Sequence, residues 1–353
     1  MVHCNNCAFM TARRSRQDEE YISLLQVISS YGVVRLHVNR TFWHFTRDWT
    51  WISANLIECI WNFPVPVFFM ITGALLLDFQ DKYNLTMYFQ KRIKKTYLPF
   101  IIWSAISLII NREQVTVDRT SVLTILSSLV TLLHTHPFHK SYWYFHSLFS
   151  VYLAIPIYSG ISEPNRLSIC RYSIAVSFIV NLLYPALSSW FNVPKIGLKF
   201  PAVSDHLIYV LIGYYLHHTK ISRKTRMLIY LMGIIGLVVH VRGTRLLSFK
   251  DNKINRTFKG SLQLPCFFYS LSIYVLVQQC PNAILLKLRQ PIHFFSSVHF
   301  GVYLAHMHVV NYWPHREESL GFRTLGATCI YLVTVCVVHL LHSIPFIAII
   351  VPG

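Results

Sequence analysis

Apolar residues run in long blocks along this chain, where a soluble chain would alternate short apolar runs with charged turns. Blocks such as Ala54–Leu77, Leu262–Val277 and Thr324–Ile350 approach or exceed the roughly 20 residues that a helix needs to cross the hydrocarbon layer. The pattern predicts an all-α fold, a polytopic transmembrane helix bundle of about ten spans. These are expected at 21–38, 54–77, 96–111, 143–160, 171–188, 203–218, 227–241, 262–279, 294–312 and 324–348. One membrane domain, 21–350, follows a polar cytosolic tail, 1–20.

Charge between the blocks decides the count. Lys91, Arg92, Lys94 and Lys95 precede the third span. Arg166 and Arg171 lie in the stretch after the fourth. Lys220, Arg223, Lys224 and Arg226 follow the sixth, and Lys287 and Arg289 the eighth. The positive-inside tendency places all four clusters in the cytosol. They agree if 121–136, short and rich in Ser and Thr, is re-entrant or interfacial. Both termini are then cytosolic, in a multi-pass protein of the cytoplasmic membrane. The stretch 242–261 is expected as an external loop, although it carries Arg242, Arg245, Lys250, Lys253, Arg256 and Lys259. Such a loop faces an anionic substrate or headgroups.

Composition supports this reading: 54% of residues are hydrophobic and 13% charged, against about 25% charged in ordinary soluble domains. A net charge of +18 does not indicate nucleic-acid binding, because the cations cluster at membrane boundaries. Cys4 and Cys7 form one CxxC with no second pair, short of the about four ligands of a structural zinc site. The spans carry Gly73, Gly213 and Gly301 and are interrupted by Pro64, Pro66, Pro99 and Pro156. Small residues and kinks suit tightly packed helices. No internal repeat is evident.

Titratable side chains within spans are costly and usually face a protein interior or a wet cavity. His37 closes the first span, with Arg35 two residues before it. Gln26 lies on the same face as His37, eleven residues earlier and about 16 Å away. Arg92 and Lys95 are i,i+3 at the mouth of the third span, suited to holding phosphates. Trp143, Tyr144 and Tyr152 have interfacial or cavity-lining character, and His146 lies nearby. His306 has Tyr303 one turn before it, while His308 is on another face. His134, His136 and His139 lack the spacing of a metal site, and none is expected. No nucleophile-elbow serine and no P-loop pattern is present.

Six fragments in order resemble the membrane-bound acyltransferase-3 family, the O-acyltransferases of surface glycans. They are YISLLQVISSYGVVRLHV, VPVFFMITGALLL, YFQKRIKKTYLPFIIWS, YWYFHSLFSVYLAIP, LIGYYL and GVYLAHMHVV. Within the family the chain resembles the group that O-acetylates enterobacterial common antigen. The resemblance implies a ten-helix core with a cytosolic N-terminus and no bound cofactor. It implies acetyl-CoA or another acyl-CoA as donor, and a lipid-linked or cell-surface glycan as acceptor. Residue by residue, His37 matches the essential first-helix histidine, Arg92 and Lys95 the donor-handling basic positions, and His306 a recurrent late-helix histidine. Ser23 and Gln26 stand where the family has Asp and Arg, and Lys95 replaces a commoner arginine.

The resulting expectation is acyl transfer from a thioester to a sugar hydroxyl. His37 is the expected base or acyl carrier, because an imidazole titrates near working pH. Gln26, Arg35 or Tyr144 would align the donor or intermediate. Arg92 and Lys95 would hold the phosphates of CoA. The same residues fit two other readings: a transporter or flippase of a glycolipid or anion, and a catalytically inactive relative.

Overall fold

The computed structural model describes residues 3–110, 142–191, 193–194, 197–198, 200–203, 205–313 and 319–352. Among them every regular element is helical. The helices are α1 (His3–Val38), α2 (Trp49–Ile60), α3 (Pro64–Leu76), α4 (Leu85–Arg92) and α5 (Leu98–Ile110). Then come α6 (Trp143–Ser159), α7 (Glu163–Ser177), α8 (Tyr184–Phe191), α9 (Leu207–His218) and α10 (Arg223–Asp251). The last five are α11 (Leu264–Gln278), α12 (Asn282–Lys287), α13 (Arg289–Ser296), α14 (His299–Tyr312) and α15 (Ala327–His342). Among the described residues, helical stretches long and apolar enough to cross a membrane run over Trp49–Asp81, broken at Trp61–Phe63, and over Glu163–Phe191, Arg223–Asp251 and Phe322–His342. The expected segment 121–136, and with it His134 and His136, lies outside the described residues, as does His139.

Helix α1 occupies the middle of the bundle and packs against α3, α11, α13, α14 and α15. Helices α3 and α9 form the closest crossing. A Cβ added at Gly73 would lie 1.9 Å from the Val210 carbonyl oxygen, and one added at Gly213 would lie 1.9 Å from that of Met70. Each helix thus presses a glycine against the backbone of the other. The sequence marked both glycines as packing residues, and they are.

Helix α10 shows why a membrane is the solvent of this fold. Its buried face is Gly233, Gly236, His240, Thr244 and Ser248, spaced three or four residues apart. Its outer face exposes Leu228, Leu231, Ile234, Ile235 and Val238. Small and polar residues inside with apolar ones outside suit a helix that meets lipid tails.

Three sequence-based boundaries change. The second expected span, 54–77, is two helices, because Pro64 and Pro66 open α3 and the chain turns at Trp61–Phe63. The Cys266 thiol donates to the Asn62 carbonyl left over at that break. The expected external loop 242–261 is helical as far as Asp251. Ser222 caps the start of α10, and only Asn252, at φ 50°, takes the left-handed turn that stops it. The last expected span, 324–348, ends its helix at His342.

Arg166 is a fourth correction. It was expected as a loop cation among headgroups, but it lies in the first turn of α7 and is 1% exposed. Its guanidinium donates to both carboxylate oxygens of Asp81, at 2.6 and 2.9 Å, and to the Ile161 and Ser159 carbonyls. The bonds from Arg166 hold the Asp81 carboxyl below the usual carboxylate range. A group whose folded pKa is lowered stabilises the fold above its unfolded pKa and loses that contribution as pH falls.

Two predictions follow from this packing. Gly73→Ala and Gly213→Ala should each cost about 1–3 kcal/mol or more through overpacking against backbone, whereas Gly160→Ala, whose added Cβ meets nothing closer than 3.4 Å, should be tolerated. Thermal unfolding in detergent compares the three, and equal melting temperatures would contradict the crossing. Asp81→Asn should lower the melting temperature at neutral pH. Its deficit against the wild type should shrink as pH falls below about 4, where free carboxyls protonate. A pH-independent deficit would contradict the charge pairing.

Candidate functional site

A cavity of about 290 Å³ opens beside α1. Gln26 of α1 lines it, with Phe68, Ile71 and Thr72 of α3. Arg92 enters from the end of α4, Lys95 and Thr96 from the segment that joins α4 to α5, and Tyr144, Leu148 and Tyr152 from α6. His299, Phe300 and Tyr303 of α14 close it. The wall of α3 is held by the glycine crossing with α9. The cationic wall depends on a π-helical turn, Ile93–Tyr97, between α4 and α5. Such turns add a residue per turn and are frequent at functional sites.

Arg92 lies between two rings, 6.0 Å from the centroid of Tyr88 and 5.5 Å from that of Tyr152. Its Nε is buried without a hydrogen-bond partner. Neither Arg92 nor Lys95 has a carboxylate partner among the described residues. Two cations without counter-ions in one cavity form a place for an anion, and a guanidinium suits a phosphate.

His37 is not part of that lining. It sits further along α1, with its ring centroid 5.1 Å from that of His306. His306 is fully buried, and its Nδ1 donates to the Tyr303 carbonyl at 2.7 Å and the Val302 carbonyl at 3.1 Å. A carbonyl can only accept, so Nδ1 carries a proton. Rings connect this pair to the cavity. Tyr303 is 5.8 Å from His306 and 5.2 Å from Tyr144, and both tyrosines line the cavity.

Of the residues marked from sequence, Gln26, Arg92, Lys95 and Tyr144 come together in the cavity, while His37 and His306 form an imidazole pair beyond it. Arg35 joins neither group. It is 8% exposed, donates to the Thr324 carbonyl at 2.7 Å and packs on the Tyr31 and Trp61 rings. Its position two residues from His37 turns it towards the other side of α1. His308 faces Trp103 and Ser107 of α5, apart from His306.

Sequence reasoning did not mark His299, Tyr303 or Thr72 as lining residues. His299 stacks on Phe68 and its Nδ1 bonds the Ser296 carbonyl. The signal for Tyr303 was its place one turn before His306. For His299 it was a histidine seven residues before His306, two turns along the same helix face. Among the described residues no group of three His, Cys, Asp or Glu side chains could hold a metal ion.

The model of the acyltransferase-3 family, described as an acyltransferase domain, matches residues 19–343. The chain belongs to this family. The matched range covers α1 from its second half through α15, so it contains the cavity-lining residues named above and the imidazole pair. No curated protein and no solved structure matches the chain.

The geometry separates Arg35, bonded within the bundle, from the cavity cations. Arg35→Gln should lower the melting temperature, because it leaves a buried amide where several guanidinium contacts stood. Lys95→Gln, at an exposed position, should leave the stability within about 0.5 kcal/mol of wild type. Thermal unfolding of both variants checks this, and the reverse ranking would contradict the assignment.

Proposed function

We propose that the protein transfers an acyl group, acetyl above all, from cytosolic acyl-CoA to a sugar hydroxyl of a lipid-linked or cell-surface glycan. The observation that carries this reading is the joining of two cations without a carboxylate partner among the described residues, Arg92 and Lys95, through Tyr144 and Tyr303 to the His37–His306 pair. Family membership supplies the chemistry of acyl transfer. The proposed topology has ten spans and both termini in the cytosol of a cytoplasmic-membrane protein. That puts Arg92 and Lys95 at the inner face, where the donor is.

Arg92 and Lys95 hold the phosphates of the donor at the cavity mouth. Gln26 and Tyr144, further in, hydrogen-bond and orient the pantetheine and thioester. His37 accepts the proton of the sugar hydroxyl as its oxygen attacks the thioester carbonyl carbon. The carbon–sulfur bond then breaks, and the CoA thiolate leaves and takes up a proton. His306, fixed by its two carbonyl bonds, holds the His37 ring in place. Gln26 carries no charge where the family has arginine, but Arg92 and Lys95 keep the same cavity positive. That favours a working enzyme over an inactive relative.

Membranes containing the protein, given labelled acetyl-CoA, test this reading. Wild type should label a glycan fraction, and His37→Ala should abolish the label. Arg92→Gln and Lys95→Gln should each raise KM for acetyl-CoA by about tenfold, the loss of one charge-assisted bond. Equal transfer by His37→Ala, or no transfer by wild type to any glycan, would sink the proposal. Uptake of a glycolipid or anion without acetylated product would favour a transporter instead.

A further inference from the structure

The end of the bundle beyond His37 carries an aromatic and basic surface that the transfer chemistry does not use. Helix α1 ends at Val38, and the turn Arg40–Trp43 follows it directly. Trp43 is 48% exposed, and the exposed Arg256 lies over its ring at 5.8 Å. Arg47 and Arg245 both lie over the Phe249 ring, at 5.9 and 5.7 Å. Arg40 donates to Asn311 at the end of α14, the helix of His306.

The acidic groups here are already committed. Glu58 is paired with Lys259 at 2.7 Å and accepts from Asn39 at 3.1 Å. Asp48 caps α2 by accepting from the Trp51 amide. Asp251 accepts from Asn255. Arg245 and Arg256 are therefore left with rings and no carboxylate among the described residues, while Arg47 also donates to the Asn252 side-chain oxygen at 3.1 Å and the Phe249 carbonyl at 2.7 Å. The Glu58–Lys259 pair, joined to Asn39, ties the segment that bears Arg256 to the end of α1.

We propose that this surface binds the saccharide of the acceptor, and that the saccharide is anionic, bearing carboxylate or phosphate. The proposal rests on the acyl-transfer reading and names its acceptor class. A flat, half-exposed indole packs against the apolar face of a sugar ring, as aromatic side chains do with amphipathic partners. Planar guanidinium forks beside it match carboxylate and phosphate oxygens. Chain order ties the surface to the site: the turn that bears Arg40 and Trp43 follows directly on the end of α1 beyond His37, and Arg40 bonds Asn311 on the helix of His306. A sugar held there lies next to the imidazole pair.

The test uses the full-length protein in nanodiscs of zwitterionic lipid. The probes are tetragalacturonate and the neutral galactose tetrasaccharide of the same length. The acidic probe should bind about tenfold more tightly, a charge-assisted contact's worth, and its affinity should fall as salt screens the exposed arginines. Trp43→Ala and Arg256→Ser should each weaken it several-fold. Trp43→Phe and Arg256→Lys should retain most of the binding. Lys224→Ser, at the opposite end of α10, should change nothing. Equal affinity for the two probes overturns the proposal, as does binding that ignores both Trp43→Ala and Arg256→Ser. Displacement of the acidic probe by glycerol phosphate at equal concentration assigns the surface to headgroups and overturns it too. Labelled acetyl transfer in the same preparation keeps the two claims apart. His37-dependent transfer without an acidic preference removes only the acceptor class. Absence of His37-dependent transfer removes the acyl-transfer reading itself.

Discussion

The crossing of α3 and α9 is the contact on which the rest of the bundle depends. Lipid tails are as apolar as leucine, so helices in a membrane associate through close packing and internal polar bonds. Gly73 and Gly213 give the two backbones an approach that any Cβ would prevent. That approach fixes α3, and α3 places Phe68, Ile71 and Thr72 along the cavity. Helix α1 packs against α3 in turn, so Gln26 at mid-span and His37 at the helix end are located by the same contact.

Polar side chains complete the framework by finding partners inside the protein. Arg35 takes the Thr324 carbonyl, Arg166 takes Asp81, and Lys259 takes Glu58. Arg92 and Lys95 are different, because they have no carboxylate partner among the described residues and line open space. This contrast separates cations that hold the bundle from cations available to a ligand. It also gives the site a direction. Positive charge lies at one end, imidazoles lie further along α1, and tyrosine rings lie between them.

Much of this was legible in the chain. Block length and low charge announced helices in a membrane. Spacing put Arg92 and Lys95 together, and Gln26 on the His37 face. Family resemblance pointed to His306, which contacts His37 through α1–α14 packing that no local pattern encodes. Other features lay in long-range pairing. Arg166 reads as a boundary cation until Asp81, 85 residues away, is seen beside it. Arg35 donates to the carbonyl of Thr324, 289 residues away. The continuation of α10 past Val241 was hidden because basic residues resemble a loop. Its buried small and polar face shows that those charges ride on a helix.

The central claim is that one donor molecule spans from Arg92 and Lys95 to the imidazole pair. Electron cryo-microscopy of the full chain with a non-hydrolysable acetyl-CoA analogue tests it most directly. The account predicts phosphate density against Arg92 and Lys95, with the acyl end past Tyr144 and pointing to His37. Density for the analogue at any other place, or in the cavity with its acyl end turned away from His37, would contradict it.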